Sequence, residues 1–115
     1  MPGKPKIEEY KFGKVELDGQ TYTEDLIILP DRIIKDWRRD EGHELKPQDL
    51  VEVGLSEIDR IIIGTGSSGR MEVTEDAKEY LKNHKVEVET YKTEKACEKF
   101  NEAGEKTGTV LHLTC

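Results

Sequence analysis

The sequence predicts a single α/β domain carrying an antiparallel N-terminal extension, and three observations predict it. Ile61-Ile62-Ile63 is an apolar run without polar alternation, the signature of a strand covered on both faces, as in a parallel sheet. From Pro47 onward, stretches with helical apolar spacing alternate with short strand-like stretches. Before them, the first third shows strand spacing broken by Asp18-Gly19, which supplies the positive φ of a tight hairpin. A length of 115 residues fits one such unit.

The elements follow in order. Residues 1–8 are polar and contain two prolines, and are expected to form a mobile leading segment, with the domain covering residues 9–115. Tyr10, Phe12, Val15 and Leu17 are spaced for strands. Tyr22 and Leu26-Ile27-Ile28-Leu29 continue the extended pattern until Pro30-Asp31, and Ile33-Ile34 follows, so this third reads as an antiparallel meander. Pro47 suits the first turn of a short helix with Leu50, Val51 and Val53 inward and Gly54 as its stop. Ile58 to Gly64 reads as a buried strand. Thr74 is placed to cap a helix whose Ala77, Tyr80, Leu81 and His84 share a face, with Glu75-Asp76 suiting the positive end of its dipole. Val86 to Tyr91 is the next strand, and a right-handed crossover makes it parallel to Ile58–Gly64. Thr93 is expected to cap a last helix that turns Ala96, Cys97, Phe100 and Ala103 inward, before a final strand from Gly108 to Thr114.

Composition narrows the function classes. Eighteen basic against 25 acidic residues give a net charge of −7, which disfavours sequence-independent binding to nucleic acid. Leu26–Leu29 and Ile61–Ile63 are the longest apolar runs, far below the ~20 residues of a membrane span. Nothing near Met1-Pro2-Gly3-Lys4-Pro5-Lys6 reads as an export signal, so a cytoplasmic location and reduced thiols at Cys97 and Cys115 are expected.

Four constellations bear on chemistry. Gly64-Thr65-Gly66-Ser67-Ser68-Gly69 follows a strand and imitates a dinucleotide fingerprint, with Glu87 and Glu89 as candidate ribose acids. Met71-Glu72-Val73 separates that loop from the next helix, which argues against a cofactor and leaves a tight turn or a small-anion pocket rimmed by Arg70. The loop is neither a P-loop nor a nucleophile elbow, because Arg70 stands where the elbow needs glycine. Thr93 and Glu94 emerge at the same sheet edge, and His43 is placed to complete a crevice there. Secondly, His112 and Cys115 form an H-x-x-C ending. Strand alternation points them apart, and paired C-x-x-C ligands are absent, so neither a metal centre nor a Cys–His pair is expected; His112 reads as a core histidine bonded to backbone. Thirdly, Cys97 sits on the apolar helix side and reads as inert core. Lastly, Trp37 amid Arg32, Lys35, Arg38 and Arg39 is a basic-aromatic cluster that could grip an acidic partner, although interleaved acids favour a solvated segment with Trp37 packed on the sheet.

In order along the chain, Phe12-Gly13, Gly42-His43-Glu44, Ile61-Ile62-Ile63-Gly64-Thr65-Gly66, Tyr80-Leu81, Thr93-Glu94-Lys95-Ala96, Phe100-Asn101 and the ending His112-Leu113-Thr114-Cys115 resemble one small domain family. It includes the vertebrate adipogenesis-associated domain protein, a mitochondrial complex I assembly factor, and single-domain archaeal and bacterial proteins. The resemblance covers residues 9–115. It implies a three-layer α/β fold with a mixed central sheet and a β-hairpin extension, and it implies no reaction.

The expected function is therefore a non-enzymatic, soluble domain acting through an unidentified protein partner in assembly or regulation, without cofactor or metal, as a monomer or weak homodimer. Trp37, Arg38 and Arg39 are the candidate contact residues. The alternative is a small-molecule or anion site, for binding alone or for catalysis, at Gly64, Thr65, Gly66, Ser67, Ser68 and Arg70 with His43, Thr93 and Glu94; His112, Thr114 and Cys115 form a separate terminal motif.

Overall fold

The computed structural model describes residues 4–39 and 43–114. Strands β1 (Ile7–Lys11), β2 (Lys14–Leu17) and β3 (Gln20–Tyr22) form an antiparallel meander shorter than expected, because Leu26–Leu29 and Ile33–Ile34 join the central sheet instead. The turns need glycine: Gly13 and Gly19 stand at φ +77° and +78°. Strand β1 starts two residues ahead of the expected domain boundary. Ile7 is buried, and its N–H and C=O are both bonded to the Asn101 side chain.

Five strands make the central sheet: β4 (Leu26–Leu29), β5 (Arg32–Ile34), β7 (Arg60–Gly64), β9 (Glu87–Tyr91) and β10 (Thr107–Leu111), in the order β5-β4-β10-β7-β9. The β10, β7 and β9 strands are mutually parallel, whereas β4 pairs antiparallel with both β10 and β5, so the sheet is mixed. A small parallel pair, β6 (Glu44–Leu45) with β8 (Glu72–Val73), lies beside it.

The unalternated apolar runs are explained by cover on both faces. Period-2 geometry sends Ile27, Leu29, Ile61, Ile63 and Val110 to one side. There they meet Ala77 and Leu81 of helix α1 (Glu75–Asn83), together with Trp37, Leu45 and Leu50. Leu26, Ile28, Ile62 and Leu111 go to the other side and meet Ala96, Cys97 and Phe100 of helix α2 (Thr93–Glu102), with Ile7, Val15 and Leu17 of the meander. Three layers result.

Three local expectations are corrected. The Pro47 helix is only a 3₁₀ turn, Pro47–Leu50, and Val51 points to solvent at 69% exposure. Thr74 caps α1 as expected, accepting from Ala77 N–H at 3.1 Å, but His84 beyond the helix is exposed. Lys92, not Thr93, is the cap residue of α2, because the Thr93 hydroxyl is engaged elsewhere.

Candidate functional site

Chain order defines where an open α/β sheet leaves a crevice. The chain leaves β7 through α1 to β9 on one side, then crosses through α2 to β10 on the other side. The end of β7 feeds α1 on one face and the end of its neighbour β9 feeds α2 on the other, so these carboxyl ends form the topological switch point, with the end of β10 beside them. Two groups of residues meet there.

The first is the glycine loop. Gly64 closes β7 where a Cβ would lie 2.9 Å from Leu111 and 3.1 Å from the Thr93 hydroxyl, so its hydrogen lets α2 pack close. Gly66 and Gly69 take φ of +110° and +72°. The loop's donors are turned inward. Thr65 N–H and Oγ1 both donate to Tyr91 C=O, at 2.9 and 3.0 Å. The Gly66 N–H donates to Thr93 Oγ1 at 2.8 Å, and that hydroxyl donates to His112 C=O at 2.6 Å. Amides of Ser67, Gly69 and Met71 donate to the carbonyls of Thr114, Gly66 and Thr65. A cradle for an anion needs such N–H groups aimed outward, and those of Thr65, Gly66, Ser67, Gly69 and Met71 instead close the chain on itself. The candidate acids fail on position too: register puts Glu87 opposite Arg60, at the far edge from Gly64 and Tyr91. Glu87 and Glu89 both pair with Arg60, and Glu89 also accepts from Tyr91 O–H.

Beside the loop lies an open pocket of about 320 Å³ that touches Thr65, Gly69 and Thr90 and is rimmed by Glu72, Glu75 and Lys78. Two carboxylates against one ammonium suit a cation better than the anion expected from sequence. Ser67, Ser68, Arg70 and Glu94 are exposed around this edge, whereas Thr93 is fully buried.

The second group is a buried ionic cluster on the α1 side. Asp25, just ahead of β4, accepts from Leu113 N–H at 2.8 Å through Oδ1. Its Oδ2 takes Arg39 Nη1 at 2.9 Å and His112 Nδ1 at 2.8 Å. Arg39 and His112 side chains are only 4% and 7% exposed. Burial alone would raise the Asp25 carboxyl, but the bonds from His112, Leu113 N–H and Arg39 outweigh it and hold it below the ordinary aspartate range. An ionised Asp25 places the imidazole proton on Nδ1. The Nε2 atom of His112 is buried and finds no hydrogen-bond partner among the described residues. His43, exposed, stands edge-on to His112 with ring centroids 6.4 Å apart.

Several sequence expectations change at this cluster. Trp37 is core, 4% exposed, with its indole N–H on Asp49 C=O at 2.8 Å. Arg39 turns inward over the Trp37 ring at 4.8 Å, so only Arg38 of that trio faces solvent. His112 is core as expected, but its partner is a carboxylate rather than backbone. His43 joins His112 and not the loop's donors. Thr114 lies by the Gly13 turn, and Cys115 falls outside the described residues. Asp25 went unseen in the sequence, since a lone acid ahead of an apolar strand carries no motif. Cys97 is buried, and burial, with Glu94 and Glu98, pushes its thiol up to about 12, which makes it inert. Among the described residues no group of three or more His, Cys, Asp or Glu is arranged to hold a metal ion, and no helix is long and apolar enough to cross a membrane.

Layer order and switch point together define a small mixed-sheet α/β domain, and its fold is shared by a Bordetella pertussis structure described as a Mth938-like domain, at 15% identity and a TM-score of 0.69, over 95% of this chain and 85% of that one. The family model described as "Protein of unknown function (DUF498/DUF598)" matches residues 7–112, and the chain belongs to that family. A conserved hypothetical protein from Pyrococcus horikoshii is 27% identical, with a TM-score of 0.81, over 96% of this chain and 99% of that one. A structure titled an outer membrane protein from Bartonella henselae, 21% identical, has the same fold at a TM-score of 0.81 over 99% and 98%.

Proposed function

We propose that this domain works through contact with another protein rather than through a reaction of its own. One observation supports the reading most. The β1–β2 tip holds Phe12 out at 67% exposure while its base is tied down: Gly13 N–H and Tyr10 O–H both donate to Leu113 C=O at 2.8 Å. A pre-ordered aromatic loses little freedom on docking, which is what an interaction anchor requires. By contrast, the carboxylate of Asp25 and the hydroxyl of Thr93 are engaged inside the fold, and Cys97 is held inert. Assembly or regulatory contact is the form that the resemblance to the eukaryotic members suggests, and the domain would serve it as a cytoplasmic monomer or weak homodimer. The anchor thus moves from Trp37 to Phe12.

Benzoylphenylalanine placed at position 12, and separately at the equally exposed Val51, tests this by photo-cross-linking in cells. A discrete adduct from position 12 and none from 51 is expected. Adducts from both, or from neither, would sink the reading.

A second reading is favoured by the pocket beside Thr65 and Gly69: a small cationic ligand held by Glu72 and Glu75. A thermal-shift panel of polyamines and anions decides it, with stabilisation by the amines, lost in Glu72→Gln, as the expected result.

A further inference from the structure

Burying an acceptor without a donor is unfavourable, and the surrounding bonds define what His112 Nε2 can accept. Asp25 holds the Nδ1 proton, so the ring presents a lone pair at Nε2 on its opposite side. A carboxylate behind an imidazole is the arrangement that metal-binding histidines share, since it sets the tautomer and raises the basicity of the coordinating nitrogen. The neighbouring imidazole is His43, at 6.4 Å between centroids and 66° between planes. With metal–nitrogen bonds of about 2.0–2.1 Å, two rings sharing one ion have centroids roughly 5 to 6.4 Å apart. The observed spacing is the open end of that range, the one in which the two nitrogens face each other across the ion. Charge does not oppose an ion there. Arg39 Nη2 lies 3.1 Å from Nδ1, but Asp25 Oδ2 binds both groups and cancels its charge.

We propose that His112 and His43 form a two-imidazole site for a borderline divalent transition ion of the zinc, nickel or copper class, with water in the remaining positions. Such an ion would link the segment after β10 to the segment ahead of β6. Two protein ligands make the site open and exchangeable, unlike the closed four-ligand sites that fold small domains.

The test is a titration of chelator-treated protein with Zn²⁺, followed by NMR of the imidazole carbons, with Co²⁺ absorption as a parallel reading. One equivalent is expected to shift the His43 and His112 resonances and leave those of His84, exposed on α1's end, in place. His43→Ala should weaken binding at least roughly tenfold without changing the circular dichroism spectrum, since that side chain is exposed. His84→Ala should bind as the parent does. Unchanged affinity in His43→Ala, loss of binding in His84→Ala, or no saturable shift at millimolar ion would each overturn the site.

Discussion

The glycine loop and the Asp25 cluster flank one switch point and contrast in how they read and what they do. The loop has a motif that any sequence scan would find, yet its amides close on the chain's own carbonyls and the Thr93 hydroxyl. The cluster is assembled from residues 25, 39 and 112, carries no motif, and leaves a buried nitrogen unpartnered. Glycines record backbone geometry, and that need arises as readily from packing a helix as from binding phosphate. Spare hydrogen-bonding capacity, which only tertiary structure reveals, is the better pointer to function.

Breaking the cluster should have the largest effect. Asp25→Asn removes the buried carboxylate that Arg39 and His112 share and should lower unfolding free energy by about 3 kcal/mol, read from urea midpoints. The same carboxyl sets an acid limit. Its folded-state value is depressed, so its contribution is fully present above the ordinary aspartate value of about 3.9 and is lost as pH falls through the depressed one. Wild-type midpoints should fall more steeply below about pH 4 than those of Asp25→Asn.

The loop should respond through its backbone and not its hydroxyls. Gly66→Val forces a β-branched residue to φ +110° and should cost about 1–3 kcal/mol. Ser68→Ala, on an exposed side chain, should stay within about 0.5 kcal/mol. Equal midpoints for the two would show the loop to be slack. A further effect is alkaline. The Cys97 thiol is raised to about 12, so stability is lost as pH climbs from about 9 toward that value, and Cys97→Ala should flatten this limb. A brief iodoacetamide pulse on native protein should leave Cys97 unlabelled, and labelling should rise with urea.

What was legible follows from locality. Ile61–Ile63 announced a strand covered on two faces because burial writes directly into apolar runs, whereas Leu26–Leu29, read as part of the meander, turned out to be covered in the same way. Parallel pairing of β7 with β9 followed from handedness. Trp37 was ambiguous for a physical reason: the charges around it are evenly interleaved, and only Asp49 C=O, twelve residues away, shows that the indole is inside. Thr93 looked like a helix cap because its type and position suit one, but its hydroxyl already accepts from Gly66 N–H and donates to His112 C=O. Asp25 could not be found at all, since its partners stand 14, 87 and 88 residues away.

The strand order carries a consequence for biosynthesis. Strand β10 fills the gap between β4 and β7, so the sheet's middle is made after both of its neighbours. Until residues 107–111 leave the ribosome, a growing chain holds two part-sheets, each with a bare apolar edge. Such edges invite mispairing with other chains. Closing the sheet also joins segments distant in sequence, which slows folding. The high surface charge then has a role before the fold exists, keeping nascent chains apart while their edges wait for the strand between them.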